Sequence, residues 1–253
     1  MSEIAHKYIV MSGKGGVGKS SVAANLAVWL STKGKQVGLL DADIHGPSVP
    51  KLLAVDDRKL ASDDGHRVQP IEYSENLRVM SIGFMLSSDS EAVIWRGPMK
   101  HNLIQQFVQN VDWGRLDYLV VDCPPGTGDE PLSVIQVLGG ADGAVVVTTP
   151  QEMAAIDVRK CLTFCRQVNL PVLGIIENMS GFICPHCSKR SDIFAGHSGE
   201  QMAEDFHVPF LGCIPIDPAL GAASDRGKPF VTLAPESATV QALQHAFEPL
   251  LNS

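Results

Sequence analysis

Short apolar runs alternate along the chain with longer segments in which apolar positions recur roughly every three to four residues. The short runs are nearly continuous and rich in β-branched residues, as is typical of strands covered on both faces of a parallel sheet. The predicted strands are Tyr8 to Met11, Val37 to Leu40, Leu77 to Ile82, Tyr118 to Val121, Ala144 to Thr148, Val172 to Ile176 and Phe210 to Ile214.

Helices are predicted between these strands. The first runs from about Lys19 to Lys33, because its apolar residues follow helical spacing and Gly34 stands where a C-terminal cap belongs. The others are predicted at Met99 to Asn110, Glu130 to Leu138, Ile156 to Val168, Ser198 to Phe206 and Glu236 to Leu250. This alternation favours repeated βαβ units. We therefore expect one doubly wound α/β domain over residues 1–253, with a mostly parallel sheet and helices on both faces.

Two stretches fit neither kind of element and are expected to be irregular loops. Pro47 to Tyr73 is polar after its first few residues, and Met179 to Ala195 contains two cysteines. Long irregular loops in compact domains are more often functional than idle. We therefore expect chemistry in one or both of them.

Composition narrows the class of protein. The 253 residues are 45% hydrophobic and 19% charged, which is ordinary globular usage and excludes a disordered chain or a coiled coil. The net charge of −8 provides no basic field for DNA or an anionic membrane, so neither is an expected partner. Six cysteines are too few for a disulfide scaffold, and the first residues lack a signal-peptide stretch. A cytoplasmic protein with reduced thiols is expected.

Residues 13–20 read GKGGVGKS, directly after a predicted strand and at the start of a helix. This is the phosphate-binding loop pattern in the structural context that it requires. We expect Lys19 to reach the β- and γ-phosphates of ATP, the Ser20 hydroxyl to ligate Mg²⁺ and Ser21 to approach the α-phosphate. The complete predicted loop is Gly13, Lys14, Gly15, Gly16, Val17, Gly18, Lys19, Ser20 and Ser21.

A second lysine, Lys14, lies inside this loop, where an ordinary loop of the type has no need of it. The form KGGVGKS resembles that of the MinD/ParA/nitrogenase-iron-protein class. The resemblance implies that Lys14 crosses a dimer interface to the partner's nucleotide, in the manner of an arginine finger, so that hydrolysis waits on dimerisation. The alternative is a solvated loop lysine.

Carboxylates follow two of the predicted strands, at the sheet edge where ligands bind in open α/β folds. Asp41 and Asp43 end the second strand, and Asp122 ends the fourth. We expect Asp43 to position the attacking water and to contribute to Mg²⁺ binding, and Asp122 to hold Mg²⁺. Asp41 is interpreted as a supporting or capping residue.

The same class resemblance extends to the nucleotide base. An asparagine after the sixth strand holds the adenine edge in that class, and Asn178 matches it with an amide that both donates and accepts. The segment IPIDP resembles the second base-contacting loop of the class, which implies that role for Pro215 and Asp217.

Cys184 and Cys187 flank a Pro-His pair in the second irregular stretch, and four interpretations compete. A structural zinc would use both thiolates with His186 and His197, a poor match to the usual ligand spacings. A redox dithiol expects a thioredoxin-like unit, which the chain has no room for. Two buried thiols would not suit so polar a loop. An iron–sulfur cluster needs about four thiolates, which two such loops meeting in a dimer would supply.

The motifs DADIHGPS, VVDCPPGTGDE, ENMSGFICPHC and GCIPIDP follow GKGGVGKS in this order. In combination they resemble the Mrp/ApbC branch of the class, the iron–sulfur cluster carriers. The resemblance implies an ATP-hydrolysing homodimer that holds a four-iron cluster between subunits through Cys184 and Cys187 of each chain, and passes it to apo iron–sulfur proteins. The other cysteines are expected to be structural: Cys123, Cys161, Cys165 and Cys213.

A different class of function remains open, a positioning switch of the MinD/ParA kind that binds a membrane or DNA-bound partners. The C-terminal segment QALQHAFEPLLNS contains no lysine or arginine, whereas a membrane-targeting helix of that class needs a basic face. The net charge disfavours DNA. The cysteine pair also has no function in such a switch.

Overall fold

A mostly parallel sheet forms the centre of the fold. The computed structural model describes residues 3–63, 67–85, 104–105, 107–184, 186–187, 189–194, 196 and 198–251. The strands are β1 (Ile4–Met11), β2 (Val37–Asp41), β3 (Ala61–Asp63), β4 (Arg67–Gln69), β5 (Ile71–Ser74), β6 (Leu77–Ser81), β7 (Leu116–Asp122), β8 (Gly143–Thr148), β9 (Val172–Ile183), β10 (Arg190–Ser191) and β11 (Phe210–Ile216).

The sheet order is β10-β9-β8-β1-β7-β2-β6-β5, with β11 also paired to β9, while β3 and β4 form a separate ribbon. The pairs β5–β6 and β9–β10 are antiparallel. The pairs among β1, β2, β6, β7, β8, β9 and β11 are parallel. Strand order therefore reverses around β1, and the loops after β1, β2 and β7 meet at one edge.

Helices cover both faces of this sheet. They are α1 (Lys19–Thr32), α2 (Val49–Leu52), α3 (Asp129–Leu138), α4 (Glu152–Gln167), α5 (Ser198–Phe206), α6 (Pro218–Asp225), α7 (Phe230–Leu233) and α8 (Ala238–Phe247). Alternate residues of each strand point to opposite faces, so Tyr8 and Val10 pack with α1, α7 and α8, while Ile9 and Met11 pack with α3, α4 and α5. The doubly wound α/β prediction is confirmed.

Every predicted strand is present, and most are longer than predicted by a few residues. The two stretches predicted to be irregular loops contain regular elements, which corrects that prediction. Residues 47–73 contain α2, β3, β4 and β5, whose short and partly exposed segments lack the continuous apolar run on which strand prediction relied. Within 179–195, β9 continues to Ile183 and pairs with β10, so the cysteines lie on a β-hairpin.

Two predicted helices need comment. The helix expected at Met99 to Asn110 lies largely outside the described residues, although 104–105 and 107–109 are helical. Helix α4 begins at Glu152, several residues earlier than the predicted Ile156. Among the described helices, none combines the length and the apolar character that crossing a membrane requires.

Candidate functional site

A cavity of about 410 Å³ opens where the loops after β1, β2 and β7 meet. Parallel register places Asp41 beside Asp122 in neighbouring strands, and Val10 of β1 beside Asp122 on the other side. Most of the predicted nucleotide-binding residues line this cavity. The lining residues are Ser12, Lys14, Gly15, Gly16, Gly18, Lys19, Ser20, Ser21, Asp43, Gly46, Ser48, Leu52, Pro125, Asn178, Met179, Leu220 and Ser224.

The GKGGVGKS loop wraps the N-terminus of α1, which directs unpaired backbone N–H groups and partial positive charge into the cavity. Gly18 is the N-cap of α1 with a φ of 84°, and a Cβ there would meet the Asn178 amide. This left-handed backbone conformation favours glycine. The Ser12 hydroxyl donates to the Lys14 carbonyl at 2.9 Å, while the backbone N–H of Gly126 donates to the Ser12 carbonyl at 2.9 Å. The loop is thereby tied to the segment after β7.

Lys19 lies between two carboxylates. Its Nζ donates to Asp122 Oδ1 and lies 3.9 Å from Asp43 Oδ2 and 3.4 Å from the Ser20 hydroxyl. Burial alone would lower the pKa of Lys19, but attraction to Asp122 and then Asp43 outweighs burial, so this pKa is raised. The ammonium therefore stays charged, as a phosphate ligand must be.

Asp122 is fully buried, and its two carboxylate oxygens have different surroundings. Oδ1 accepts from Lys19, whereas Oδ2 has no hydrogen-bond partner within the described part of the chain. Burial raises the pKa of Asp122, although Lys19 opposes this shift. An unpartnered buried oxygen beside the Ser20 hydroxyl suits a hard cation with oxygen ligands. The predicted Mg²⁺ residues thus fit that ion.

The Asp41 and Asp43 side chains have different surroundings. Asp41 is fully buried and accepts from the backbone N–H groups of Asp43 and Val49, both at 3.2 Å, and from the Ser81 hydroxyl at 2.9 Å. It supports the loop after β2, as interpreted from the sequence. Asp43 Oδ1 accepts from the N–H groups of His45 and Gly46, while Oδ2 faces Lys19 in the cavity.

Asn178 of β9 reaches the cavity, and its Nδ2 donates to the Val17 carbonyl at 2.8 Å. Pro215 and Asp217 do not line the cavity. Asp217 caps α6 through the N–H of Ala219 at 2.8 Å, and its other oxygen accepts from the Thr239 hydroxyl at 2.8 Å. Contact of these three residues with a base stays a prediction from the resemblance.

The Cys184–Cys187 pair lies at the end of the β9–β10 hairpin, which the Cys184 N–H closes by donating to the Lys189 carbonyl at 3.0 Å. Cys184 is half-buried and Cys187 is exposed. Hydrogen bonds from the backbone of His186 and Cys187, then from the Cys187 thiol, lower the pKa of Cys184. A lower pKa favours the thiolate, the form that binds metals.

The described residues contain no group of three or more His, Cys, Asp or Glu side chains placed to hold a metal, and His197, considered for zinc, lies outside them. The other cysteines differ from this exposed pair. Cys123, Cys161 and Cys165 are fully buried, and burial raises the pKa of Cys123. Cys213 is half-buried, less enclosed than the core position expected for it.

Sequence reasoning assigned no functional role to two residues near the site. His45, in the loop after β2, places Nε2 2.9 Å from Glu130 Oε1 at the start of α3, so the segments that follow β2 and β7 are in contact at this point. Glu177, immediately before Asn178, is completely buried and hydrogen-bonded. The available signal for Glu177 was a single carboxylate inside the otherwise apolar run GIIEN.

Comparison with known proteins agrees with this arrangement. A family model described as "ParA: NUBPL iron-transfer P-loop NTPase" matches residues 3–251. The chain belongs to this family. The resemblance to iron–sulfur cluster carriers noted in the sequence is confirmed at that level.

Members of the iron-transfer family and a solved structure show the extent of the similarity. The "Iron-sulfur cluster carrier protein" of Methanocaldococcus jannaschii is 50% identical over 234 residues, covering 92% of this chain and 80% of that protein. The "Cytosolic Fe-S cluster assembly factor NUBP2 homolog" of Trichoplax adhaerens is 47% identical, covering 97% and 94%. A nucleotide-binding protein from Archaeoglobus fulgidus, solved with ADP, has a TM-score of 0.79 and 42% identity, covering 90% and 88%.

Proposed function

We propose that the chain is an ATP-hydrolysing iron–sulfur cluster carrier, in which a homodimer holds a four-iron cluster and passes it to apo iron–sulfur proteins. The names of the M. jannaschii and T. adhaerens relatives, a carrier and a cytosolic assembly factor, support this class of function. The name of the T. adhaerens relative also supports a cytoplasmic location. The family's description as an iron-transfer NTPase points the same way.

One observation carries the proposal: a single strand joins the nucleotide cavity to the cysteine pair. Asn178 of β9 lines the cavity, and the same strand ends one residue before Cys184. Nucleotide and cargo would therefore be held by neighbouring parts of one strand. A positioning switch of the MinD/ParA kind has no use for this arrangement.

The cavity residues divide the work of hydrolysis. Loop N–H groups and the Lys19 ammonium bind and orient the phosphates. Asp43 is assigned to orient the attacking water, because two backbone N–H groups fix one of its oxygens while the other faces the cavity. Lys14 lines the cavity and is assigned to reach the nucleotide of the second copy, which makes hydrolysis depend on dimerisation.

Mg²⁺ is assigned to the Ser20 hydroxyl and the Asp122 carboxylate, with Asp43 near by. The Asp122 oxygen that lacks a partner among the described residues supports this assignment. When bound, the ion neutralises phosphate charge. Lys19 lies within hydrogen-bonding distance of Asp122 and Ser20, so it can add its charge to the same phosphates.

The cluster is assigned to two chains because one chain offers too few ligands. A four-iron cluster takes about four thiolates. The hairpin offers Cys184 and Cys187, the thiols of Cys123, Cys161 and Cys165 are buried in the core, and the half-buried Cys213 thiol donates to Glu177, so one chain has fewer than four accessible thiols. Two hairpins that face each other across a dimer would supply the set.

Cysteine variants test the proposal. After anaerobic reconstitution with iron and sulfide, Cys184→Ala and Cys187→Ala should each lose the visible absorption and the bound iron, yet keep ADP binding. Cys161→Ala is the matched control and should retain the chromophore. Zinc as the tightly held metal, or a chromophore that survives both hairpin substitutions, would return the hairpin to a structural role.

A further inference from the structure

The Glu177 side chain is a buried carboxylate that the proposed chemistry does not use. It is 0% exposed and accepts from the Ser180 hydroxyl and the Gly199 N–H, both at 2.8 Å, and from the Cys213 thiol at 3.8 Å. Burying a carboxylate is costly unless such bonds compensate it. These bonds join β9 to the start of α5 and to β11.

Strand β9 is kinked at Met179, between Asn178, which reaches the cavity, and Ser180. Met179 lines the cavity and has a φ of 58°, a left-handed conformation that is uncommon for a residue with a side chain. The bond from Ser180 to Glu177 spans this kink, from one side of Met179 to the other. Glu177 therefore holds the strand in its bent form.

A second bond leads from Ser180 to the cysteine hairpin. Arg190, which pairs with Ile183 across the hairpin, makes a long contact from Nη2 to the Ser180 hydroxyl at 3.5 Å, while its Nε donates to Asp192 Oδ1 at 3.4 Å. Its side chain passes directly over Gly181, where a Cβ would lie 2.6 Å from Arg190 Nε. The residues Glu177, Ser180 and Arg190 thus form a continuous polar path, which we call the hairpin anchor.

Asn178 and Glu177 are consecutive in β9, so their side chains leave opposite faces of the strand. Asn178 donates to the Val17 carbonyl of the phosphate-binding loop, while Glu177 holds the hairpin anchor. A shift of Asn178 or Met179 on nucleotide binding would therefore act on the bend that the bond from Ser180 to Glu177 spans. A contact network of this kind transmits a signal when it has two arrangements.

We propose that Glu177 is a positioning residue that transmits the nucleotide state of the cavity to the Cys184–Cys187 pair through the hairpin anchor. This inference rests on the proposed carrier function. It adds a route by which nucleotide sets the exposure of the cargo ligands. Glu177 contacts neither nucleotide nor cargo in this role.

Thiol accessibility of the iron-free 253-residue protein provides the test. Alkylation rates of Cys184 and Cys187 are measured by peptide mass spectrometry with and without Mg-ADP, and light scattering ensures that samples of equal oligomeric state are compared. The wild-type rate should change by at least about fivefold, the lower range of allosteric coupling. Glu177→Gln should reduce this change to less than about twofold while its ADP affinity stays within about threefold of wild type.

Glu177→Gln should reduce the nucleotide-dependent change because an amide cannot replace both carboxylate oxygens as hydrogen-bond acceptors. Both Glu177 oxygens accept hydrogen bonds, and an amide can accept on only one of its two heavy atoms. The Gly199 N–H cannot reverse its direction, so the new NH₂ group meets the Ser180 hydroxyl, which already accepts from Arg190. The anchor then loses its carboxylate charge, and the Ser180 hydroxyl, which must now accept from both the new NH₂ group and Arg190, no longer has an acceptor for its own proton.

Glu200→Gln makes the same chemical change at an exposed position of α5 and should behave as wild type. If Glu177→Gln does not fold, Ser180→Ala decides, since it removes only the hydroxyl between Glu177 and Arg190. The inference is overturned if Mg-ADP changes the alkylation rates in either folded variant as much as in the wild type. It is also overturned if Mg-ADP does not change these rates in the wild type. Iron content is measured separately, so failure to bind iron would contradict the carrier proposal without affecting this result.

Discussion

Lys19 illustrates how single residues of the cavity depend on one another. Its ammonium contacts Asp122 and lies near Asp43, so three charges that would be costly alone are buried together. Nucleotide phosphates would compete with these carboxylates for the same cation. The cavity is thus prepared for anionic phosphate before nucleotide arrives.

Substitution of Lys19 and of Lys14 should have different effects on ATP binding and hydrolysis. Lys19→Ala should weaken ATP binding by about ten- to hundredfold, since a hydrogen bond to a charged group contributes about 1.5–3 kcal/mol. Lys14→Ala should keep ATP binding and lower hydrolysis by about a thousandfold, as loss of an in-trans cation does. Titration calorimetry and phosphate release measure the two effects, with the exposed Lys228→Ala as control. Hydrolysis by Lys14→Ala at the wild-type rate would contradict the in-trans role of Lys14.

Asp41 should make stability depend on pH. Burial, and next the charge of Asp122, raises the pKa of Asp41 to about 8. The unfolded chain loses this proton near pH 4, so between about pH 4 and 8 the folded form binds a proton that the unfolded form does not. The free energy of unfolding therefore falls as pH rises through this window, by up to about 1.4 kcal/mol per pH unit from this group.

Urea unfolding at pH 5, 6 and 7 compares the wild type with Asp41→Asn, whose side chain cannot titrate. The fall in stability with rising pH should be shallower in the variant. Asp56→Asn changes an exposed carboxyl and should keep the wild-type slope. Equal slopes in wild type and Asp41→Asn would show that Asp41 is already ionised in the folded protein.

At the scale of elements, caps and kinks position the site. Asp217 begins α6 and joins it to Thr239 of α8, and α6 supplies Leu220 and Ser224 to the cavity. The element thus contributes to the cavity although its capping side chain does not line it.

Asp217→Ala should lower the free energy of unfolding by about 1–3 kcal/mol, because it removes an N-cap and a second hydrogen bond. ADP affinity should stay within about threefold, since the carboxylate is already bonded inside the chain. Asp225→Ala, at the other end of α6, is the matched control. A much larger loss of ADP affinity, measured by calorimetry, would instead support the base contact implied by the resemblance.

The sequence predicted the buried strands well because their apolar runs are continuous, as in Ala144 to Thr148. It did not predict the β9–β10 hairpin, because β9 changes there to half-buried residues and passes Met179 and Gly181, both at positive φ. Motif spacing located Lys19, which a local pattern defines. It could not locate the partners of Glu177, since Gly199 and Cys213 are distant in sequence and meet only in the fold.

At the scale of the molecule, the proposed cluster binding and the proposed in-trans role of Lys14 both require two chains. The hairpin with its half-buried and exposed cysteines lies on the strand that borders the cavity, and Lys14 lines the same cavity. A dimer that joins two cavities through Lys14 would also bring two hairpins into one assembly. Nucleotide and cargo would then be held at one interface.

The stoichiometry of iron tests this claim most directly. Protein reconstituted anaerobically with excess iron and sulfide is analysed by native mass spectrometry, which records the number of chains and of iron and sulfide ions in the same particle. We expect one four-iron cluster per two chains of 27.1 kDa, because about four thiolates are needed. A four-iron cluster in a particle of a single chain, or two such clusters per dimer, would contradict it.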